Sequence, residues 1–256
     1  MTKGGNTRIQ LCGRPVVRLH GRRIERELGG PTTRLLFGFL VLNRQRRVSR
    51  DELLMAVYGE DASSDYGPRL SVLLSKLRAV VGTDLVLGRS TLELLLPADA
   101  FVDVEAALAA LHRAEYHVSN QQWVQAWGPA GVAYHVATRP LLAGHDAVWL
   151  DEWRRRLADV QVRGLECLTA ARLGLGGPTL PQAADCARRL IALAPYRETG
   201  HRMLMEALER TGNVAEALLV YEQLRTLLQH ELGIEPSATV LAVYRRLIDQ
   251  TAPSGG

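Results

Sequence analysis

Between Tyr66 and Gly82 the chain carries Arg69, Ser71, Ser75, Lys76 and Arg78 and not one Asp or Glu. Cations interleaved with short hydroxyls form a set of donors for phosphate oxygens and base edges, and no carboxylate in the segment opposes a polyanion. The apolar residues of the same stretch, Leu70, Leu74, Leu77 and Val81, recur at i, i+4, i+7 and i+11, one stripe of a 3.6-residue period. That spacing predicts a helix whose leucine face is buried and whose opposite face presents Arg69, Ser75 and Lys76. Such a helix suits a DNA groove. A solvated amphipathic helix has the same pattern, and this segment by itself does not separate the two.

Other chemistries find little support. No GxxxxGK[ST] loop or GxSxG elbow occurs, and the seven histidines lack HExxH spacing. The run Gly174-Leu175-Gly176-Gly177-Pro178 reads as a loop between helices rather than a phosphate cradle. Cys12, Cys167 and Cys186 are odd in number and lack CxxC spacing, so buried, reduced thiols are expected, with neither disulfide nor metal. No enzymatic activity and no cofactor are expected.

The donor-bearing helix needs elements to hold it. Ser49 and Glu52 have capping-box spacing, which starts a helix at Arg50 that runs through Tyr58. Residues 8–12 and 16–19 read as strands joined by a turn at Gly13-Arg14-Pro15. After Gly29-Gly30-Pro31 the apolar run 33–42 is suited to a buried first helix. Past Gly82, residues 85–87 and 92–96 flank Gly88-Arg89-Ser90, the pattern of a hairpin with a basic tip. Strands, three helices and a hairpin make a winged helix-turn-helix over residues 1–97, ending at Pro97-Ala98-Asp99-Ala100.

Beyond that boundary, residues 104–112, 149–173, 180–193, 199–211, 214–230 and 239–249 carry helical periodicity. Ala183 and Ala217 lie 34 residues apart in matching surroundings, the tetratricopeptide period, although His201 and Met205 replace the usual aromatic and glycine. The expected fold is therefore mainly α: an N-terminal α+β winged helix-turn-helix, an all-α tetratricopeptide-like domain over 101–250, and a disordered tail at 251–256. The 256 residues suffice for about two domains.

Charge divides the same way. Residues 1–100 hold 16 Lys and Arg against 10 Asp and Glu, net +6, whereas residues 101–256 hold 15 against 17, net −2. The basic part attracts a polyanion nonspecifically, and the acidic remainder is better suited to protein contacts. The longest apolar run, 35–42, is far too short for a membrane span, and residues 1–6 are polar, so a cytoplasmic location without membrane association is expected. Trp123, Trp127, Trp149 and Trp153 fall within 31 residues. They either line a ligand or partner pocket, as a helical-repeat adaptor or sensor would require, or belong to the core.

Several segments together carry a family resemblance. They are 48–53, 70–78, Phe101-Val102-Asp103-Val104, Arg139-Pro140-Leu141-Leu142, Trp149 to Arg154 and above all Glu231-Leu232-Gly233-Ile234-Glu235-Pro236-Ser237. On these residues the chain resembles the Streptomyces antibiotic regulatory protein family, in which an OmpR-like winged helix is joined to a bacterial transcriptional activation domain. The resemblance implies a transcriptional activator that binds direct repeats of double-stranded promoter DNA, as a dimer on DNA, recruits RNA polymerase holoenzyme and controls an antibiotic biosynthetic gene cluster.

Carried over residue by residue, it implies that Arg69, Ser71, Val72, Ser75 and Lys76 face the major groove, with Arg78 on or near the phosphates. Val72 is either a thymine-methyl contact or one more core residue. Arg50 would meet the DNA backbone and Arg89, at the wing tip, the minor groove. Glu60, Asp61 and Asp65 lie in the loop that contacts polymerase in similar regulators. Two departures stand out: Thr91-Leu92-Glu93 replaces the family's Gly-Tyr-Arg in the wing, and Pro68 sits where the family helix has already begun. In the first helical turn Pro68 would cost no hydrogen bond and would place Arg69 second.

Overall fold

The computed structural model describes residues 7–59 and 66–251. In chain order the N-terminal region comprises β1 (Arg8–Gln10), β2 (Val16–Leu19), β3 (Arg22–Arg23), α1 (Pro31–Leu42), β4 (Val48–Ser49), α2 (Arg50–Tyr58), α3 (Tyr66–Val81), β5 (Val86–Leu87) and β6 (Thr91–Leu94). After β7 (Phe101–Val102) the chain is helical: α4 (Asp103–Ser119), α5 (Trp123–Ala137), α6 (Val148–Leu175), α7 (Leu180–Leu193), α8 (Glu198–Arg210), α9 (Val214–Leu232) and α10 (Ala238–Thr251). A mixed α/β N-terminal region thus precedes an all-α region. Contacts group the chain into two compact units, one taking in residues to Ala107 with Val136–Ala158, the other Leu108–His135 with the residues from Asp159 on.

In the first unit the expected β1–β2 hairpin forms, Ile9 opposite Val17, and both side chains are buried. The sheet is wider than the sequence suggested, with order β3-β2-β1-β7. β7 pairs parallel to β1, Ile9 opposite Val102. Asp103, directly after β7, is buried and its carboxylate accepts from the backbone N–H of Leu11 (3.0 Å), Cys12 (2.9 Å) and Val104 (2.9 Å). One side chain therefore completes the end of β1 and opens α4.

Helix α1 is buried along most of its length, through Leu35, Leu36, Phe37, Phe39 and Leu40, and packs against α2 and α3. Gly38 on this helix is required by a neighbour, because a Cβ there would lie 2.6 Å from Leu142 Cδ1. Residues 136–158 contribute to the same core. Leu142 N–H donates to the Leu11 carbonyl at 3.0 Å, the Trp149 ring stands edge-on to Phe39 at 5.1 Å, and its indole N–H donates to the Ala56 carbonyl at 3.0 Å.

In the second unit α7, α8, α9 and α10 share one core, with Ala183, Ala187, Ala217, Met205 and Leu224 fully enclosed. The two alanines of the 34-residue period thus lie where helices meet closely. Tyr221 stacks on Tyr244 with centroids 3.9 Å apart. Helix α9 ends at Gly233, whose φ of 67° is left-handed, and Pro236 is buried just beyond. The Ser237 carbonyl accepts from Val240 and Leu241 N–H, while its hydroxyl meets that of Thr239. His201 is buried, its Nδ1 has no partner among the described residues, and burial holds its pKa below the ordinary imidazole value.

Cys12, Cys167 and Cys186 are buried and form no disulfide; burial pushes the first two thiols up to about 12. Two of the tryptophans are held in packing contacts. Trp149 is occupied with Phe39 and Ala56, whereas Trp123 covers Gly174, where a Cβ would lie 2.2 Å from the ring.

Candidate nucleic-acid interface

The helix-turn-helix is assembled from local signals. Both bonds of the capping box form: Glu52 N–H donates to Ser49 Oγ at 3.1 Å and Ser49 N–H to Glu52 Oε2 at 3.0 Å, so α2 starts where the sequence places it. These contacts, the first among them the Ser49 amide, hold the Glu52 carboxyl below its usual range. Tyr58 at the end of α2 and Tyr66 at the start of α3 meet with centroids 4.7 Å apart, tying the two helices together. Leu70, Leu74, Leu77 and Val81 are buried as their spacing requires. Helix α3 begins two residues before Pro68, so the proline still lies in the first turn at no hydrogen-bond cost, but Arg69 is the fourth helical residue rather than the second.

The opposite face of α3 is exposed. It presents Arg69, Ser71, Val72, Ser75 and Lys76, and Val72, at 54% exposure, is not a core residue. Lys76 makes no ion pair among the described residues. The Arg69 guanidinium rests 4.9 Å from the Tyr66 ring centroid, which restricts its sweep while leaving its N–H groups free to bond outward. Ser71 is engaged from within: its Oγ donates to the Gly67 carbonyl at 3.0 Å and accepts from Arg50 Nη2 at 2.8 Å. Arg50 also donates to the Gly67 carbonyl at 3.2 Å, so it ties the start of α2 to the start of α3.

Arg78 departs furthest from its expected place. It is half-buried, and its guanidinium donates to the carbonyls of Val86 at 3.0 Å and Gly88 at 2.6 Å. Those bonds direct it toward the wing and away from the exposed face. The wing is the sheet β4-β6-β5, with Val48 opposite Leu92 and Val86 opposite Leu94. Gly88 turns it with φ of 92°, and a Cβ there would fall 1.9 Å from the Thr91 carbonyl oxygen. Arg89, at the tip, is exposed.

Glu93, the carboxylate that replaces a family cation, pairs with Arg47 at 3.2 Å. The sequence reading overlooked Arg47. Its signal lies in the basic run Arg44, Arg46 and Arg47 just before β4, which the strand register brings beside Glu93. Glu60, Asp61 and Asp65 lie outside the described residues. The assembled face is a convex helix with two cations, two hydroxyls and one valine, beside a basic turn. That combination is able to donate to phosphates and base edges, and it holds no group arranged for bond making.

Residues 102–248 match the family described as the bacterial transcriptional activator domain. The regulatory protein AfsR of Streptomyces griseus is 30% identical over 230 residues, which cover 86% of this chain and 22% of that protein. The transcriptional regulatory protein MoaR1 of Mycobacterium tuberculosis is 22% identical over 97% of this chain and 81% of its own length. Among solved structures, Mycobacterium tuberculosis EmbR in complex with a low-affinity phosphopeptide superposes with a TM-score of 0.81 at 21% identity, covering 96% of this chain and 65% of that one. The chain spans about a fifth of the length of the AfsR proteins it matches.

Proposed function

The chain belongs to the bacterial transcriptional activator domain family, with the two-part organisation of the Streptomyces antibiotic regulatory proteins, and on that basis we propose that it is a sequence-specific DNA-binding transcriptional activator. It binds direct repeats near a promoter, recruits RNA polymerase and controls a secondary-metabolite biosynthetic cluster. Residues 1–97 carry the DNA-reading part and residues 101–250 the activation part.

The observation that carries this reading is the acid-free exposed face of α3. Arg69, Ser75 and Lys76 stand clear of the core, on a helix held in place by α1, α2 and the wing. Arg69 and Lys76 supply base-edge or phosphate donors, Val72 an apolar contact for a thymine methyl, and Arg89 a cation for the minor groove. Arg50 acts first as a strut, through Ser71 and Gly67, and meets phosphate only with its remaining donors.

A gel-shift titration of the full chain against the promoter upstream of its own gene, run across a salt series, tests the reading. Specific binding with a steep decline in affinity as salt rises is expected. Equal affinity for random DNA and no salt dependence would remove the DNA-reading role.

A further inference from the structure

The first unit carries a partly open cavity of about 700 Å³ that takes no part in the α3 face. Val17, Leu28, Phe37 and Leu142 give it an apolar wall. Glu25 and Glu27 also line it, but each is already paired, Glu25 with Arg23 at 2.5 Å and Glu27 with Arg22. Three further lining cations, Arg14, Arg26 and Arg34, have no acidic partner among the described residues. The cavity therefore carries a surplus of positive charge beside an apolar surface.

Two of its lining side chains hold buried polar atoms with nothing to bond. Arg34 Nε and His145 Nε2 are shielded from solvent and have no hydrogen-bond partner among the described residues. On His145 the other nitrogen fixes the tautomer. Nδ1 lies 3.3 Å from the carbonyls of Leu142 and Ala143, which only accept, so Nδ1 carries the hydrogen and Nε2 is turned to its other side. A buried guanidinium N–H without an acceptor is unfavourable, and folded proteins nearly always satisfy such groups. An oxyanion would supply the missing acceptor for Arg34.

Volume and lining narrow the ligand. Small-molecule sites commonly measure about 300–1,000 Å³, mostly apolar with a few placed polar groups. A bare inorganic anion would occupy only a small part of the volume of about 700 Å³, and a neutral apolar molecule would leave Arg34 unsatisfied. We propose that this cavity binds a small organic carboxylate, its apolar body against Phe37, Leu28 and Leu142 and its carboxylate on Arg34. Arg34 and Phe37 belong to α1, which packs against α2 and α3, so a bound carboxylate stabilises the core that supports the α3 face.

Decanoate, kept below its micelle concentration, serves as the probe, with decanol and inorganic phosphate as controls. The full chain is titrated by calorimetry and by thermal shift. Saturable binding of one decanoate per chain with a raised Tm is expected, at least about tenfold tighter than decanol or phosphate, and Arg34→Met should weaken it by about tenfold or more. The absence of saturable decanoate binding overturns the proposal. So does decanol binding as tightly as decanoate, or a folded Arg34→Met chain that binds decanoate unchanged. Should Arg34→Met not fold, the comparison of decanoate with decanol on the unaltered chain decides alone.

Discussion

The guanidinium of Arg78, on α3, donates to the carbonyl of Gly88 in the wing turn at 2.6 Å, and to Val86 at 3.0 Å, so one side chain fastens the reading helix to the hairpin. A charged group hydrogen-bonded to two backbone carbonyls contributes chiefly to the fold. Arg78→Ala is expected to lower stability by about 1.5–3 kcal/mol while leaving the salt slope of DNA binding nearly unchanged. Urea unfolding and a gel-shift salt series on the same variant check it; a flattened slope with intact stability would return Arg78 to the phosphates.

Lys76 presents the opposite case. Exposed on α3 and without an ion pair among the described residues, it is free to meet DNA. Lys76→Ala should weaken specific binding by about 1–3 kcal/mol if it contacts a base. Where it meets a phosphate, the salt slope should fall by about 0.9. Thermal stability should change by no more than about 0.5 kcal/mol. Unchanged affinity and unchanged slope would place the interface on another face.

Leu74 is 1% exposed within the buried stripe of α3. Leu74→Ala should cost about 2–5 kcal/mol of fold stability, the usual range for a buried leucine that leaves a cavity. A denaturant titration yielding a neutral effect would mean that α3 is not anchored by this stripe.

His201 makes stability depend on pH. Because burial lowers its pKa in the folded chain, the unfolded chain binds the proton more readily. The favourable contribution of the neutral ring is therefore complete above the unfolded imidazole value of about 6.5 and declines as pH falls from there through the lower folded value. Urea midpoints at about pH 7.5 and about pH 5.5 should show a loss on acidification that His201→Leu reduces. An equal loss in both proteins would assign the acid sensitivity to other groups.

Much of this was legible because the signals are local. The capping box fixes the start of α2, the four-residue stripe orients α3, and Gly233 with Pro236 ends α9, each within a few residues of sequence. What escaped depends on partners distant in the chain or on context that overrides a local rule. Helix α5 lies outside the segments of clear helical periodicity: Gly128, Pro129 and Gly131 disfavour a helix by local rule, yet the helix runs through them from Trp123 to Ala137. β7 is two residues long and acquires strand character only by lying beside β1. Arg78 looks like any basic residue on a polar helix face, and nothing in the periodicity of α3 encodes carbonyl acceptors contributed by the wing. Arg47 and Glu93, 46 residues apart, meet through the register of β4 on β6.

The carboxylate of Asp103 on the amides of Leu11 and Cys12 has a genetic consequence. A gene fusion that borrowed residues 1–100 as a portable cassette would lose that acceptor, the β7 strand, Leu142 over Gly38 and Trp149 over Phe39. Two buried amides would be left unpaired and one side of α1 bare to water. Recombination that exchanges the reading head alone is thereby penalised. A donor must supply residues 136–158 together with those up to Ala107 to carry the core of this unit with it.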